Sequence, residues 1–202
     1  MTAVVVVVAA LLIGAGVLIY LQKKERDAQA RLGEAISIFD APVGDAAPAS
    51  APKYKDENEK IAKAEPIFVE VTKNYGGTDA ADVAEIYLAR IAASRGDLAS
   101  AKTKLQSFLR AHPDHILAGT VEMSLMDLRL ATDPPKDLIV DLENQLEQDE
   151  TRLPKDAILV LLARANELQG DAIKAREAYQ RIVNEYPDSA YAIDAQRKIA
   201  AR

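Results

Sequence analysis

The chain has 202 residues, with 25 Lys and Arg against 31 Asp and Glu, a net charge of −6, no Cys, no Trp, three Phe, seven Tyr and 36 Ala. The lack of Cys excludes a disulfide scaffold, a thiolate metal site, a cysteine nucleophile and a lipid-modified N-terminal Cys, and the acidic balance with scattered cations argues against nucleic-acid binding. A hydrophobic content of 49% excludes disorder over most of the length.

Residues 2–21 carry no charge and include the run Val4 to Val8 followed by Leu11, Leu12, Ile13, Val17, Leu18 and Ile19. Twenty such residues in a helix span roughly 30 Å, one hydrocarbon core, and in lipid a helix satisfies its own backbone even where valines favour a strand in water. The spacing predicts a transmembrane helix over 2–21, with Tyr20 at the interface. A cleaved signal peptide fits less well: no basic region precedes the apolar run, the run is long, and Lys23, Lys24, Glu25, Arg26 and Asp27 follow at once. Lys23, Lys24, Arg26 and Arg31 lie after the span and no Lys or Arg before it, so the flank charges favour a cytoplasmic C-terminal part.

Over 22–39 a juxtamembrane helix is predicted, since Ala28, Leu32, Ala35, Ile36 and Phe39 form one helical stripe and no breaker separates it from the preceding span. Residues 40–53, rich in Ala, Asp, Gly and Ser and interrupted by Pro42, Pro48 and Pro52, read as a flexible linker. Charges up to Lys53 cancel, so the acidity belongs to residues 54–202.

That region repeats itself. At an offset of 74, Leu88-Ala89-Arg90 matches Leu162-Ala163-Arg164, Gly96-Asp97 matches Gly170-Asp171, Ala101 matches Ala175, and Pro113-Asp114 matches Pro187-Asp188. Half of that offset, 37, also holds: Ala64 precedes Ala101 and Phe68 precedes Leu105 by 37 residues, while Leu125-Met126-Asp127 and Asp133-Pro134 supply the middle copy. Each copy reads as two helices. Gly96 or Gly170 ends the first, Asp97 or Asp171 caps the second, and Pro113 or Pro187 closes the unit. In the middle copy Asp133 is the expected cap, with Pro134 at the first helical position. The predicted elements are a lone helix over 55–75, pairs over 79–112, 117–150 and 156–186, and a capping helix over 189–201. Such units bury their apolar faces only by stacking.

Leu159, Leu162, Ala163, Gly170, Ala175, Tyr179, Ile182 and Pro187 resemble the marker positions of the tetratricopeptide repeat. The fold class that follows is all-α: an N-terminal transmembrane helix and an α-solenoid of tetratricopeptide-like pairs. The anchor, the stretch Ile36-Ser37-Ile38-Phe39-Asp40-Ala41-Pro42, the linker and the ending Tyr186-Pro187-Asp188-Ser189-Ala190-Tyr191-Ala192 further resemble the YfgM-like family of ancillary Sec-translocon subunits. That resemblance implies a single-pass protein of the bacterial inner membrane whose C-terminal domain is periplasmic, against the flank charges. It also implies partners in the Sec translocon, periplasmic chaperones and their client peptides.

No catalytic constellation, phosphate loop or cofactor motif stands out. His112 and His115 flank Pro113-Asp114, but they lack the further ligands a metal needs and read as helix-end caps. Arg95-Gly96-Asp97 falls on the inter-helix turn that Gly170-Asp171 repeats. The expectation is therefore a non-enzyme with no metal and no cofactor. The candidate binding surface is the concave groove of the first helices, where the period aligns Arg90, Asp127 and Arg164, with Ile86, Met123 and Val160 as a parallel apolar row and Glu167 one turn from Arg164. The rows suit either a peptide with apolar anchors and a charge or an inter-helix ion-pair ladder, and the two are compatible. The favoured function is a membrane-anchored protein-interaction adaptor. The alternative is a structural accessory subunit of a secretion, pilus or respiratory complex.

Overall fold

The computed structural model describes residues 2–44 and 54–201, with side chains from residue 11 onward. The regular elements among the described residues are α-helices: α1 (Thr2–Phe39), α2 (Glu57–Asn74), α3 (Asp79–Ser94), α4 (Leu98–Ala111), α5 (Ala118–Thr132), α6 (Pro135–Glu147), α7 (Lys155–Gln169), α8 (Ala172–Glu185) and α9 (Ala192–Ala200). From α2 onward successive helices are joined by connections of two to seven residues, as the repeat pattern requires. Two compact units divide the chain, Met1–Lys104 and Leu105–Arg202, and the boundary falls within α4.

In the first unit α1 and α3 both pack on α2. Ala28, Leu32 and Ala35 of α1 are buried with Ile61, Ala64, Phe68 and Val71 of α2 and with Ala80, Ala81, Ala84 and Ile91 of α3. The alanines carry the close approach, because five of them (Ala28, Ala35, Ala64, Ala80 and Ala84) are wholly buried where larger side chains would hold the helices apart. The helix that the periodicity places over 55–75 is thus not lone: the second half of α1 is its partner. The bidentate contact of Arg31 with Glu70 fastens the same pair and holds the Glu70 carboxyl below its usual range.

Residues 45–53 of the predicted linker lie outside the described residues. Its described ends are not free. The Gly44 N–H donates to the Tyr54 carbonyl at 2.9 Å, Val43 and Tyr54 form an isolated parallel bridge, and the Lys60 ammonium donates to the Ala41 carbonyl at 2.7 Å. Lys60 is buried along its stem and also meets Glu57 at 3.0 Å, so its charge is partnered rather than stranded.

The predicted transmembrane helix gains no support from this structure: among the described residues no helix is long and apolar enough to cross a membrane. Part of the predicted span, residues 2–10, lies where side chains are outside the described ones. From Leu11 to Leu21 the helix is present and its apolar side chains are exposed.

The second unit has its core in Leu138 and Leu142 of α6, Ile158, Leu159 and Leu161 of α7, and Ile182 of α8, all buried. Helix ends follow the sequence logic in two copies. Gly96 and Gly170 take left-handed φ values of 81° and 83° that residues with a Cβ resist. Asp97 then accepts the Ser100 N–H and Asp171 the Lys174 N–H, each at 3.0 Å. The middle copy departs from its prediction. The cap position of α6 falls on Pro134 rather than Asp133, with Pro135 at the first helical position, and the Asp133 carboxylate meets Arg129 one turn back at 2.9 Å. The second proline moved the helix start by one residue, and Arg129, which also reaches Asp141, captured the carboxylate.

Candidate functional site

A cleft of about 610 Å³ opens between α7, α8 and α9 in the second unit. Its floor is Val160 from α7, Tyr179 from α8, and Tyr191 and Ala195 at α9. The 37-residue period places Arg197 in register with Val160 and Ala201 with Arg164, so the cleft continues the row of first-helix positions into the capping helix. Tyr191 is set in place by its neighbours: its N–H donates to the Ser189 hydroxyl oxygen at 3.1 Å, and that hydroxyl donates to Asp156 at 2.6 Å.

Ion pairs rim the floor. Lys198 donates to Glu167 at 2.9 Å and its ammonium stands 5.8 Å from the centre of the Tyr179 ring. The carboxylate of Glu167 holds the Lys198 ammonium above its ordinary range, so it is charged at neutral pH. Burial, and after it the Glu167 charge, push the Tyr179 phenol up, so it stays protonated and a donor. Arg164 meets Asp127 at 2.7 Å across the 37-residue interval, and Arg197 pairs with Asp194. Each pair is largely exposed and contributes little to stability, which leaves these groups free to exchange partners with a ligand.

Of the sequence-predicted groove residues, Val160, Arg164 and Glu167 come together in this cleft, and Asp127 touches it through Arg164. Met123 and Val160 both pack half-buried on the edge of the second core. Ile86 and Arg90 belong to the first unit, where Ile86 is half-buried. The Arg90 guanidinium lies over two rings, 5.3 Å from the centre of Phe39 and 5.1 Å from that of Tyr87. Sequence reasoning missed Tyr179, Tyr191, Arg197 and Lys198 as site residues because it assigned the groove to first helices alone. Extending the period by one step past Val160 and Arg164 would have found the α9 wall.

The period also relates α2 and α3 of the first unit to α8 and α9. Phe68 and Tyr87 lie 111 residues, three periods, before Tyr179 and Lys198, and Ala84 lies 111 before the equally buried Ala195. There the rings of Phe68 and Tyr87 stack at 4.8 Å, and Phe39 from α1 sets its edge against both, at 6.1 and 5.3 Å. An aromatic side chain beneath an arginine thus covers the period-related positions Phe68 and Tyr87 in the first unit.

Among the described residues lining the cleft there is no Ser, Cys or His. The rings of His112 and His115 lie 5.2 and 5.3 Å from that of Phe108, and His115 Nδ1 accepts the Leu117 N–H at 3.1 Å ahead of α5.

A family model described as a tetratricopeptide repeat-like domain matches residues 1–196. No curated protein and no solved structure matches the chain.

Proposed function

The chain belongs to the tetratricopeptide repeat-like domain family, and from that premise we propose that it is a protein-interaction adaptor without catalysis, held at a membrane by its N-terminal helix. The cleft between α7, α8 and α9 carries this reading, since an apolar floor rimmed by exchangeable ion pairs suits a peptide that inserts one large side chain and lays its polar groups on the rim. The first unit supports an aromatic or large aliphatic anchor, because there Phe39 packs on Phe68 and Tyr87, the positions that the period relates to Tyr179 and Lys198. Titration of the full chain in detergent with labelled peptides that differ at one central residue tests this. Binding is expected to weaken in the order Phe, Leu, Ala, Asp, and equal binding of the Phe and Asp peptides would refute it.

The membrane attachment rests on the sequence, twenty uncharged residues over 2–21, and is supported by the exposure of Leu11, Leu12, Ile13, Val17, Leu18 and Ile19 around the helix, which water disfavours and lipid does not. By the resemblance to the YfgM-like family, the proposed partners are the Sec translocon, periplasmic chaperones and their client peptides, with residues 54–202 in the periplasm of a bacterial inner membrane. Crosslinking from Arg164 or Lys198 in native membranes that captures neither a Sec component nor a chaperone would refute that assignment. Protection of the domain from protease in spheroplasts would refute the orientation. The second reading, an accessory subunit bracing another membrane complex, is favoured by the continuity of α1 from the apolar run into the first core; co-purification at fixed stoichiometry would establish it.

A further inference from the structure

We infer that the first unit is seated on the bilayer surface, with the α2–α3 turn at the level of the phospholipid headgroups, rather than hanging from the membrane on a tether. The inference rests on the membrane attachment proposed above. Helix α1 runs without interruption from the exposed apolar segment into the core of the first unit, where Ala28 is its first buried residue. Seven residues separate Leu21, the last of the apolar run, from Ala28, a rise of about 10 Å. Two contacts come nearer still. The Lys24 ammonium donates to the Gly76 carbonyl at 2.7 Å, and the Glu25 carboxylate accepts the Asp79 N–H at 3.1 Å. They fix the α2–α3 turn beside residues 24 and 25, about 6 Å of helix rise beyond Leu21. The headgroup layer on each side of a bilayer is about 5–8 Å deep, so a turn fastened there lies in it or against it.

The chemistry of that face suits the position. Tyr20 and Tyr75 lie at the two sides of the junction, and tyrosine favours the membrane–water interface. Lys23, Arg26 and Lys73 are exposed around it beside Asp27 and Asp79, and the three cations complement lipid phosphates. The parts of α1 that fasten the turn, Lys24 onward, lie outside the apolar run, so the helix itself transmits the height of the bilayer to the unit.

The absence of cysteine makes the test direct, because single-cysteine variants need no background changes. The full chain carrying Asn74→Cys or Ser94→Cys, both exposed positions, is labelled with an environment-sensitive fluorophore. It is reconstituted in vesicles of phosphatidylcholine and phosphatidylglycerol that contain headgroup-nitroxide lipid. Asn74 ends α2 at the turn, whereas Ser94 ends α3 about 22 Å further along that helix. The label at 74 is expected to be quenched several-fold more than that at 94. A six-residue Gly–Ser insertion between Gln22 and Lys23, which leaves every contact from Lys24 onward intact, is expected to bring the two labels to the same low quenching while the protein still floats with the vesicles. Equal quenching in the uninserted chain that floats would overturn the inference alone, as would a difference that survives the insertion. Failure of the full chain to float would overturn the membrane attachment, and the inference with it.

Discussion

Phe68→Ala is the sharpest probe of how the first unit is held together. The Phe68 side chain is wholly buried, stacked on Tyr87 at 4.8 Å and touched by the edge of Phe39 at 6.1 Å. Removing it costs the transfer of the ring plus the cavity left behind, about 3–5 kcal/mol for a core Phe→Ala change. The aromatic pairings, each about 0.5–1.5 kcal/mol, put this site toward the upper end of that range. A loss of about 4 kcal/mol is about three decades in an opening equilibrium. Amide hydrogen exchange of the full chain in detergent reads it directly: the slowest amides of α2 and α3 are expected to lose about a thousandfold of protection. Arg90→Ala serves as the control, since it removes an exposed cation from the same rings and costs about 0.5–1 kcal/mol. A loss of less than tenfold for Phe68→Ala, or an Arg90→Ala effect as large, would show that burial of this ring is not what couples α1, α2 and α3.

Three further outcomes are expected. The Ser100 hydroxyl and then its N–H hold the Asp97 carboxyl below its ordinary value of 3.8, so the stability it contributes is present above that value and is lost as the pH falls through the lower folded one. The Ser100 amide resonance is expected to move in a titration from about pH 5 to about pH 2, and Asp97→Asn, which still accepts the bond, to abolish that movement. Gly170→Ala is expected to cost about 1–2 kcal/mol by forcing a left-handed φ on a residue with a Cβ. Gly33→Ala, in an exposed helical position with open space around the added carbon, is expected to stabilise α1 by up to about 1 kcal/mol; equal signs for the two in denaturant titrations would refute this contrast. Asp127→Ala removes an ion pair exposed on both sides and is expected to change stability by less than about 1 kcal/mol, while altering peptide binding at the cleft through the released Arg164.

Much of the fold was legible because it is written in local rules repeated at a fixed interval. The Gly-Asp pairs at 96–97 and 170–171 announce a helix stop and a cap, and the buried alanines at 64, 101 and 175 recur at the period that brings helices together. Where two local rules competed, the sequence did not choose: with two prolines in succession the start of α6 could fall on either, and the fold set it at Pro135, one residue later than expected, with Asp133 paired to Arg129. The groove residues were half legible, since the period marks Val160 and Arg164 but only the packing of α9 against α8 brings Lys198 over Tyr179.

By itself the sequence determined an all-helical repeat with a period of 37, an uncharged N-terminal run and no thiol chemistry. Only the tertiary structure decided that the helix after that run belongs to the first core, that Phe39 packs on Phe68 and Tyr87, and that a cleft opens between α7, α8 and α9. The reason is physical. Helix starts, stops and stripes depend on residues within a turn or two of each other, whereas which faces pack together depends on side chains far apart in the chain. Phe39 reaches Phe68 and Tyr87 across a loop whose composition predicts only that it is irregular.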